Sequence, residues 1–230
     1  MKWLRALPSQ CLACHAWPSH DVLCPDCWQR FAISAPFRCT GCALALPGVD
    51  PERPRCGACL RRPPLWQEAH AWMDYHYPWN SLITHWKFGQ QPALAHYAAD
   101  WMRQDARIQG AIDAADVLVP IPLSKERMRE RGYNQAALLT LAFKSHKHEL
   151  HCLTRTHHAA AQSDSTRAQR LRNLRNAFAV EAAQRHHIQG KKVLLIDDVM
   201  TTGATLTAAS RCLLQAGSSQ IHVLCMARTP

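Results

Sequence analysis

The stretch that most limits what this chain can become is Val193–Thr207, VLLIDDVMTTGATLT. Val193, Leu194, Leu195 and Ile196 read as a strand buried on both faces, which places it inside a parallel sheet. Asp197 and Asp198 follow at its carboxyl end, where open α/β sheets take their ligands. Thr201, Thr202, Gly203, Ala204 and Thr205 then turn the chain into a helix expected over Ala204–Gln215 and stopped at Gly217. The first turn of such a helix offers unpaired N–H groups and the positive end of a dipole, both suited to a phosphate. Gly203 lets the backbone approach closely, and the threonine hydroxyls add short donors. The loop is shaped for a phosphate and a cis diol.

Two other phosphate-binding motifs are absent. No Gly-Lys-Ser/Thr follows the turn, so it is not a Walker loop, and there is no GxGxxG dinucleotide fingerprint. The segment instead resembles the phosphoribosyl-pyrophosphate (PRPP) loop of type I phosphoribosyltransferases. The resemblance implies that Asp197 and Asp198 contact the ribose 2′ and 3′ hydroxyls while the following turn cradles the 5′-phosphate.

A second pattern occupies the front of the chain. Cys11/Cys14, Cys24/Cys27, Cys39/Cys42 and Cys56/Cys59 are four CxxC pairs. Zinc takes four soft ligands in a tetrahedron, and two intervening residues let one turn supply two of them. Eight cysteines therefore make two closed, structural zinc sites. Neighbouring pairs can unite, giving two consecutive ribbons, or alternate pairs can cross-brace; spacing alone permits both. A secreted disulfide knot is disfavoured because the opening MKWLRALPSQ lacks the apolar core of a signal peptide. His15 and His20 are expected in solvent, and Cys152, Cys212 and Cys225 in packed core. This front segment is too short to bury a core, so metal binding would supply its folding free energy.

Length and charge agree with one sizeable domain and a small appendage. The 230 residues are 47% apolar and carry a formal charge of +10, which favours anionic partners. From Lys125 to Lys192, 14 Lys/Arg stand against 5 Asp/Glu, a stretch suited to a polyphosphate or a nucleic acid. No run approaches the roughly 18 apolar residues of a membrane span, and a cytoplasmic location is expected. Arg61–Pro64, RRPP, reads as a linker between a zinc-ribbon domain at 1–62 and a larger domain at 63–230.

Along that larger domain, Ala69–Tyr77, Asp116–Pro122, Ala177–Glu181 and Ile221–Ala227 read as strands. Ser81–Phe88 and a segment from Leu94 closed near Gly110 read as helices. Lys125–Gln135 leads into another at Ala136–Phe143. Alternating strands and helices imply an α/β fold, a mostly parallel sheet covered by helices.

Three blocks stand in order: VPIPLSKERMRERGYNQ, QSDSTRAQRLRNLRNAF and VLLIDDVMTTGATLT. With the cysteine pairs ahead of them they resemble the ComF/GntX family, a double zinc ribbon followed by a type I phosphoribosyltransferase domain. The resemblance covers essentially the whole chain. It implies that Val119–Lys125 is a pyrophosphate loop, with Lys125 and Arg131 neutralising a diphosphate, Gly132 freeing the turn and Asn134 capping the next helix. Lys87, in HWKF, would also face the phosphates. Gln162–Phe178, with Arg167, Arg170, Arg172 and Arg175, would be a hood closing over PRPP. Mg²⁺ would enter with PRPP. The family is linked to competence and the use of external DNA, which implies a role downstream of DNA uptake. Two functions follow. One is transfer of phosphoribosyl to a nitrogen nucleophile with release of pyrophosphate. The other is a non-catalytic adaptor for single-stranded DNA or a DNA-processing partner, using the fold as a ligand sensor and Trp17, Trp28 or Phe37 to stack bases.

Overall fold

The structure, a computed structural model, describes residues 9–32, 37–46, 55–156 and 177–230. Four strands form its main sheet: β1 (Glu68–Asp74), β2 (Val117–Pro120), β5 (Lys192–Met200) and β6 (Gln220–Arg228). Their spatial order is β1-β6-β5-β2, and every pairing is parallel. The apolar run that announced β5 sits in the middle of this sheet. Val193, Leu194, Leu195 and Ile196 are wholly buried. Burying each such side chain is worth roughly 1.5–3 kcal/mol.

Alternation along the strands divides the core into two layers. Leu118, Leu194, Ile196, Leu224 and Met226 face α3 (Trp79–Phe88), α4 (Leu94–Arg103), α5 (Ala106–Ala114) and α7 (Gln135–Ala142). Val117, Val119, Val193, Leu195 and Val223 face α8 (Ala204–Gln215) and Ile188. The parallel sheet covered on both faces is the fold class expected from the sequence.

Several boundaries differ from expectation. The helix predicted from Leu94 to near Gly110 is two helices, because Asp105 accepts the Arg107 backbone N–H at 2.9 Å and starts α5 afresh. Gly110 lies inside α5. The basic segment after β2 is itself a helix, α6 (Lys125–Arg131), capped by Ser124 and closed at Gly132, whose φ of 77° is left-handed. Asn134 then caps α7 as expected, accepting from the N–H groups of Ala136 and Ala137. The strand predicted at Ala177–Glu181 shrinks to β4 (Phe178–Ala179), which pairs antiparallel with β3 (Thr154–Arg155) outside the main sheet. Cys152, Cys212 and Cys225 are free thiols, with Cys152 and Cys225 in the core and Cys212 partly buried on α8.

The front segment carries two ribbons, each ending in a short helix: α1 (Pro25–Phe31) and α2 (Gly57–Arg61). The first lies against the α3 and α4 side of the sheet, where Trp28 meets Trp72, Trp79 and Trp101. The second lies at the β1 and β6 side, where the Ala69 N–H donates to Thr40 O at 2.7 Å and Arg228 Nε to Cys42 O at 2.9 Å. Among the described residues, no helix is long and apolar enough to cross a membrane.

Candidate functional site

β2 stops pairing with β5 at Pro120 and Ile196, whereas β5 continues beside β6 as far as Met200. The two aspartates therefore emerge just past the end of β2, inside the strand and not after it. Their side chains meet different surroundings. Asp198 is nearly buried, and its Oδ2 lies 3.0 Å from Lys87 Nζ of α3 and 4.0 Å from Arg131 of α6. Asp197 sits on the other side, within the field of Arg155 on β3. Burial, then the negative charge of Asp198, pushes the Asp197 carboxyl up to about 7. The Asp198 backbone N–H, donated to Asp197 Oδ1 at 2.9 Å, and the charges of Lys87 and Arg155 oppose that rise.

Thr201 and Thr202 are exposed on the bend that follows. Gly203 has φ 74° and stands at the N-cap of α8. A side chain there would be strained in this left-handed conformation, with its Cβ in contact with the Trp66 ring at 3.4 Å. Thr202 Oγ1 takes the Ala204 N–H at 3.4 Å, and Thr207 Oγ1 donates to Gly203 O at 2.9 Å, which fixes the bend to the helix. Ala204 is exposed and Thr205 half-buried, so the first turn of α8 opens to solvent. An anion is favoured there because the leading N–H groups of an α-helix lack intrahelical partners.

The structure thus brings together Asp198, Lys87 and Arg131 and sets them on the sheet edge that also carries Asp197 and the 201–205 turn. Lys125 is exposed at the start of α6, and Arg131 occupies its far end. Arg131 is held by Gln135 Oε1 at 3.1 Å and by the ring of Phe88, 5.3 Å from its guanidinium. Neither Phe88 nor Arg155 was singled out in the sequence. Arg155 lies on a two-residue strand with no pattern to mark it, while Phe88 directly follows Lys87 in HWKF. The proposed hood, with Arg167, Arg170, Arg172 and Arg175, lies outside the described residues apart from Ala177 and Phe178.

The cysteines resolve the pairing left open by their spacing. Cys11, Cys14, Cys24 and Cys27 form one cluster and Cys39, Cys42, Cys56 and Cys59 the other, with sulfurs in each set within 4.8 Å of one another. Neighbouring pairs unite; there is no cross-brace. Zinc–sulfur bonds of about 2.3 Å in a tetrahedron put sulfurs about 3.8 Å apart. Cys14 to Cys24 and Cys42 to Cys56 each measure 3.7 Å, so both sets fit zinc. Backbone N–H groups stabilise the anionic sulfurs: Cys24 donates to Cys11 at 3.3 Å and Cys56 to Cys39 at 3.2 Å. Burial resists ionisation of Cys11, but donors from Cys24, Cys14 and Ala13 outweigh it and bring the thiol to about 6. Gly41 is required by close approach, since a Cβ there would lie 2.8 Å from Cys59 Sγ. Of the aromatic residues considered for base stacking, Trp28 is absorbed into the tryptophan cluster, whereas Trp17 and Phe37 are exposed.

A four-stranded parallel sheet with an acidic pair and a helix-capping turn at its edge, joined to two four-thiolate ribbons, defines a zinc-ribbon protein of phosphoribosyltransferase class. Family models agree with both parts: a double zinc ribbon domain matches residues 4–60 and a phosphoribosyl transferase domain residues 153–230. The chain is 32% identical to DNA utilization protein YhgH of Salmonella typhimurium over 99% of this chain and 96% of that protein. It is 30% identical to Competence protein F of Haemophilus influenzae, covering 90% of each chain. Competence protein ComFC of Bacillus subtilis is 29% identical over 91% of this chain and 90% of its own length. The chain belongs to the ComF/GntX family.

Proposed function

We propose that this chain binds PRPP, or a related phosphoribosyl ligand, at the carboxyl edge of its sheet, within the metabolism of externally acquired DNA in the cytoplasm. The observation that carries the reading is the gathering of Lys87 and Arg131 on Asp198 beside an α-helix N-terminus primed by Gly203. Cations and an anion-binding turn on one edge suit a ligand with phosphate at one end and diphosphate at the other. Asp197 and Asp198 hold the ribose diol; Thr201, Thr202, Gly203, Ala204 and Thr205 hold the 5′-phosphate; Lys87, Lys125 and Arg131 face the diphosphate. Carboxylate oxygens suit Mg²⁺, which would arrive with PRPP and neutralise charge between pyrophosphate and ribose hydroxyls.

Where an acceptor nitrogen is present, pyrophosphate leaves C1 of the ribose through a transition state with oxocarbenium character. The chain's part is positioning and charge balance: cations receive the departing diphosphate, and an ionised aspartate steadies the positive sugar. A PRPP-dependent release of pyrophosphate that disappears in Asp198→Asn establishes transfer. Binding without release on any amine or base identifies a sensor. The exposure of Trp17 at 65% favours a second reading, in which the first ribbon stacks a base of single-stranded DNA. Salt-sensitive DNA binding that survives Asp198→Asn but is lost on zinc chelation would separate this activity from the sheet edge.

The raised Asp197 carboxyl gives the reading a pH signature. Ionisation of Asp197 is needed to accept ribose hydroxyls, so PRPP affinity climbs as pH rises through about 7 and levels above it. The same group works against stability in that direction. Its folded value exceeds the unfolded value of about 3.9, so the folded state holds the extra proton between these values and loses stability as pH rises through them. Asp197→Asn should flatten both profiles; an unaltered pH dependence of affinity would remove Asp197 from the ligand site.

A further inference from the structure

We propose that Glu68, His70 and His222 form a third metal site, distinct from the ribbons, that takes a divalent first-row transition ion such as zinc through two imidazoles and one carboxylate. Regular backbone brings the three residues together. Glu68 and His70 are two apart on β1 and so share a face, and the parallel register sets Glu68 opposite His222 on β6. Trp72 and Leu224, the next residues on that face, lie in the core layer facing α5. The cluster therefore faces the underside of α5, at the end of β1 and β6 remote from the aspartates on β5.

The distances point to an ion and not to hydrogen bonds. Glu68 Oε2 is 3.5 Å from His70 Nε2 and 3.8 Å from His222 Nδ1, and the three donor atoms lie within 4.8 Å of one another. An N–H to oxygen hydrogen bond spans about 2.7–3.2 Å. A tetrahedral ion with bonds of about 2.0–2.1 Å holds its ligands roughly 3.4 Å apart. Adjustments of a few tenths of an ångström complete that geometry. His70 Nε2 is also fully enclosed and has no hydrogen-bond partner among the described residues. Such an orphaned ring nitrogen calls for a ligand.

Two features distinguish this site from the ribbons. Among the described residues it supplies three protein donors and not four, and it lines a cavity of about 380 Å³ beneath α5, shared with Asp105, Arg107 and Gly110. The fourth coordination position opens into that cavity, where water would occupy it, since the Arg107 guanidinium is paired with the Asp105 carboxylate at 2.6 Å. Glu68 is half exposed, which gives the ion a route to solvent. Borderline imidazole donors select zinc and its neighbours over magnesium. The site stands independently of the PRPP reading, since it shares no residue with it.

The test begins with the full chain carrying two equivalents of zinc, titrated calorimetrically with further Zn²⁺. One additional equivalent is expected, weakened at least tenfold in His70→Gln and in His222→Gln while both variants keep the two ribbon zincs. No further equivalent in the wild-type chain, or one that survives both substitutions at wild-type affinity, overturns the proposal. A second measurement needs no variant: Co²⁺ added to the two-zinc chain should give a visible ligand-field spectrum without thiolate charge transfer. A spectrum showing only cobalt–thiolate bands, or none, counts against the site.

Discussion

The two ribbons are built alike and docked differently. Each closes its knuckle with a residue at positive φ, His15 at 61° after Cys14 and Ala43 at 57° after Cys42, and each begins its second pair at a helix N-cap, Cys24 or Cys56. Their attachment to the sheet differs in balance, although the first ribbon also takes neutral hydrogen bonds from Tyr77 Oη to Ala13 O at 2.9 Å and from Trp79 Nε1 to Phe31 O at 3.3 Å. The first docks through aromatic rings: Trp28 lies 5.3 Å from Trp101 and 6.2 Å from Trp72, and Phe31 meets Tyr77 edge-on at 5.5 Å. The second docks through polar groups. Arg38 joins Asp74 at 2.7 Å, Trp66 Nε1 donates to Gly41 O at 2.7 Å, and Arg228 reaches Cys42 O. One metal chemistry is thus fastened to one sheet with apolar burial dominant on one side and polar contacts, led by the Arg38–Asp74 pair, dominant on the other.

Zinc removal should have the largest effect, because it takes away what the ribbons have in common. Metal binding contributes about 10–16 kcal/mol in zinc-finger peptides. A strong chelator should therefore unfold both ribbons and, by freeing Trp28, collapse the near-ultraviolet circular dichroism of the tryptophan cluster. A chain shown to be metal-free that kept this signal would contradict the account. Trp28→Ala comes next, at about 3–5 kcal/mol for a large aromatic truncation. It should detach the first ribbon while zinc content stays at two, read by denaturant unfolding alongside metal analysis. Arg38→Met should cost about 2 kcal/mol, the worth of a charged hydrogen bond, and loosen only the second ribbon. Adding Asp74→Leu should recover part of that loss, because the apolar pair leaves no charge stranded; no recovery would mean that the polar docking is misassigned. The smallest effect tests the shared knuckle. His15→Gly should stabilise by about 0.5 kcal/mol, the relief of a left-handed residue less the extra freedom glycine has when unfolded.

This contrast also marks what the sequence could convey. Metal ligands repeat locally, so CxxC spacing was enough to find all eight thiols. Which pairs unite depends on how the chain returns on itself, and only the 3.7 Å contacts between successive pairs decided it. The apolar run at 193–196 was legible because a doubly covered parallel strand admits little else. The division of the 94–114 segment at Asp105 was not, since a helix can restart on a cap without any proline or glycine to warn of it. Asp197 and Asp198 were legible as a pair but not as opposites. Their difference comes from Lys87, more than a hundred residues away, and from burial that the sequence does not report. For the same reason Glu68, His70 and His222 carried no motif: β1 and β6 join them only through sheet register.

Calorimetric titration with PRPP and Mg²⁺, wild type against Asp198→Asn, tests the ligand assignment most directly. One PRPP should bind per wild-type chain, and at least tenfold more weakly to the variant, with both proteins retaining two zincs and the same tryptophan circular dichroism. Absence of heat with the wild-type chain, or equal affinity in the two, would contradict the account.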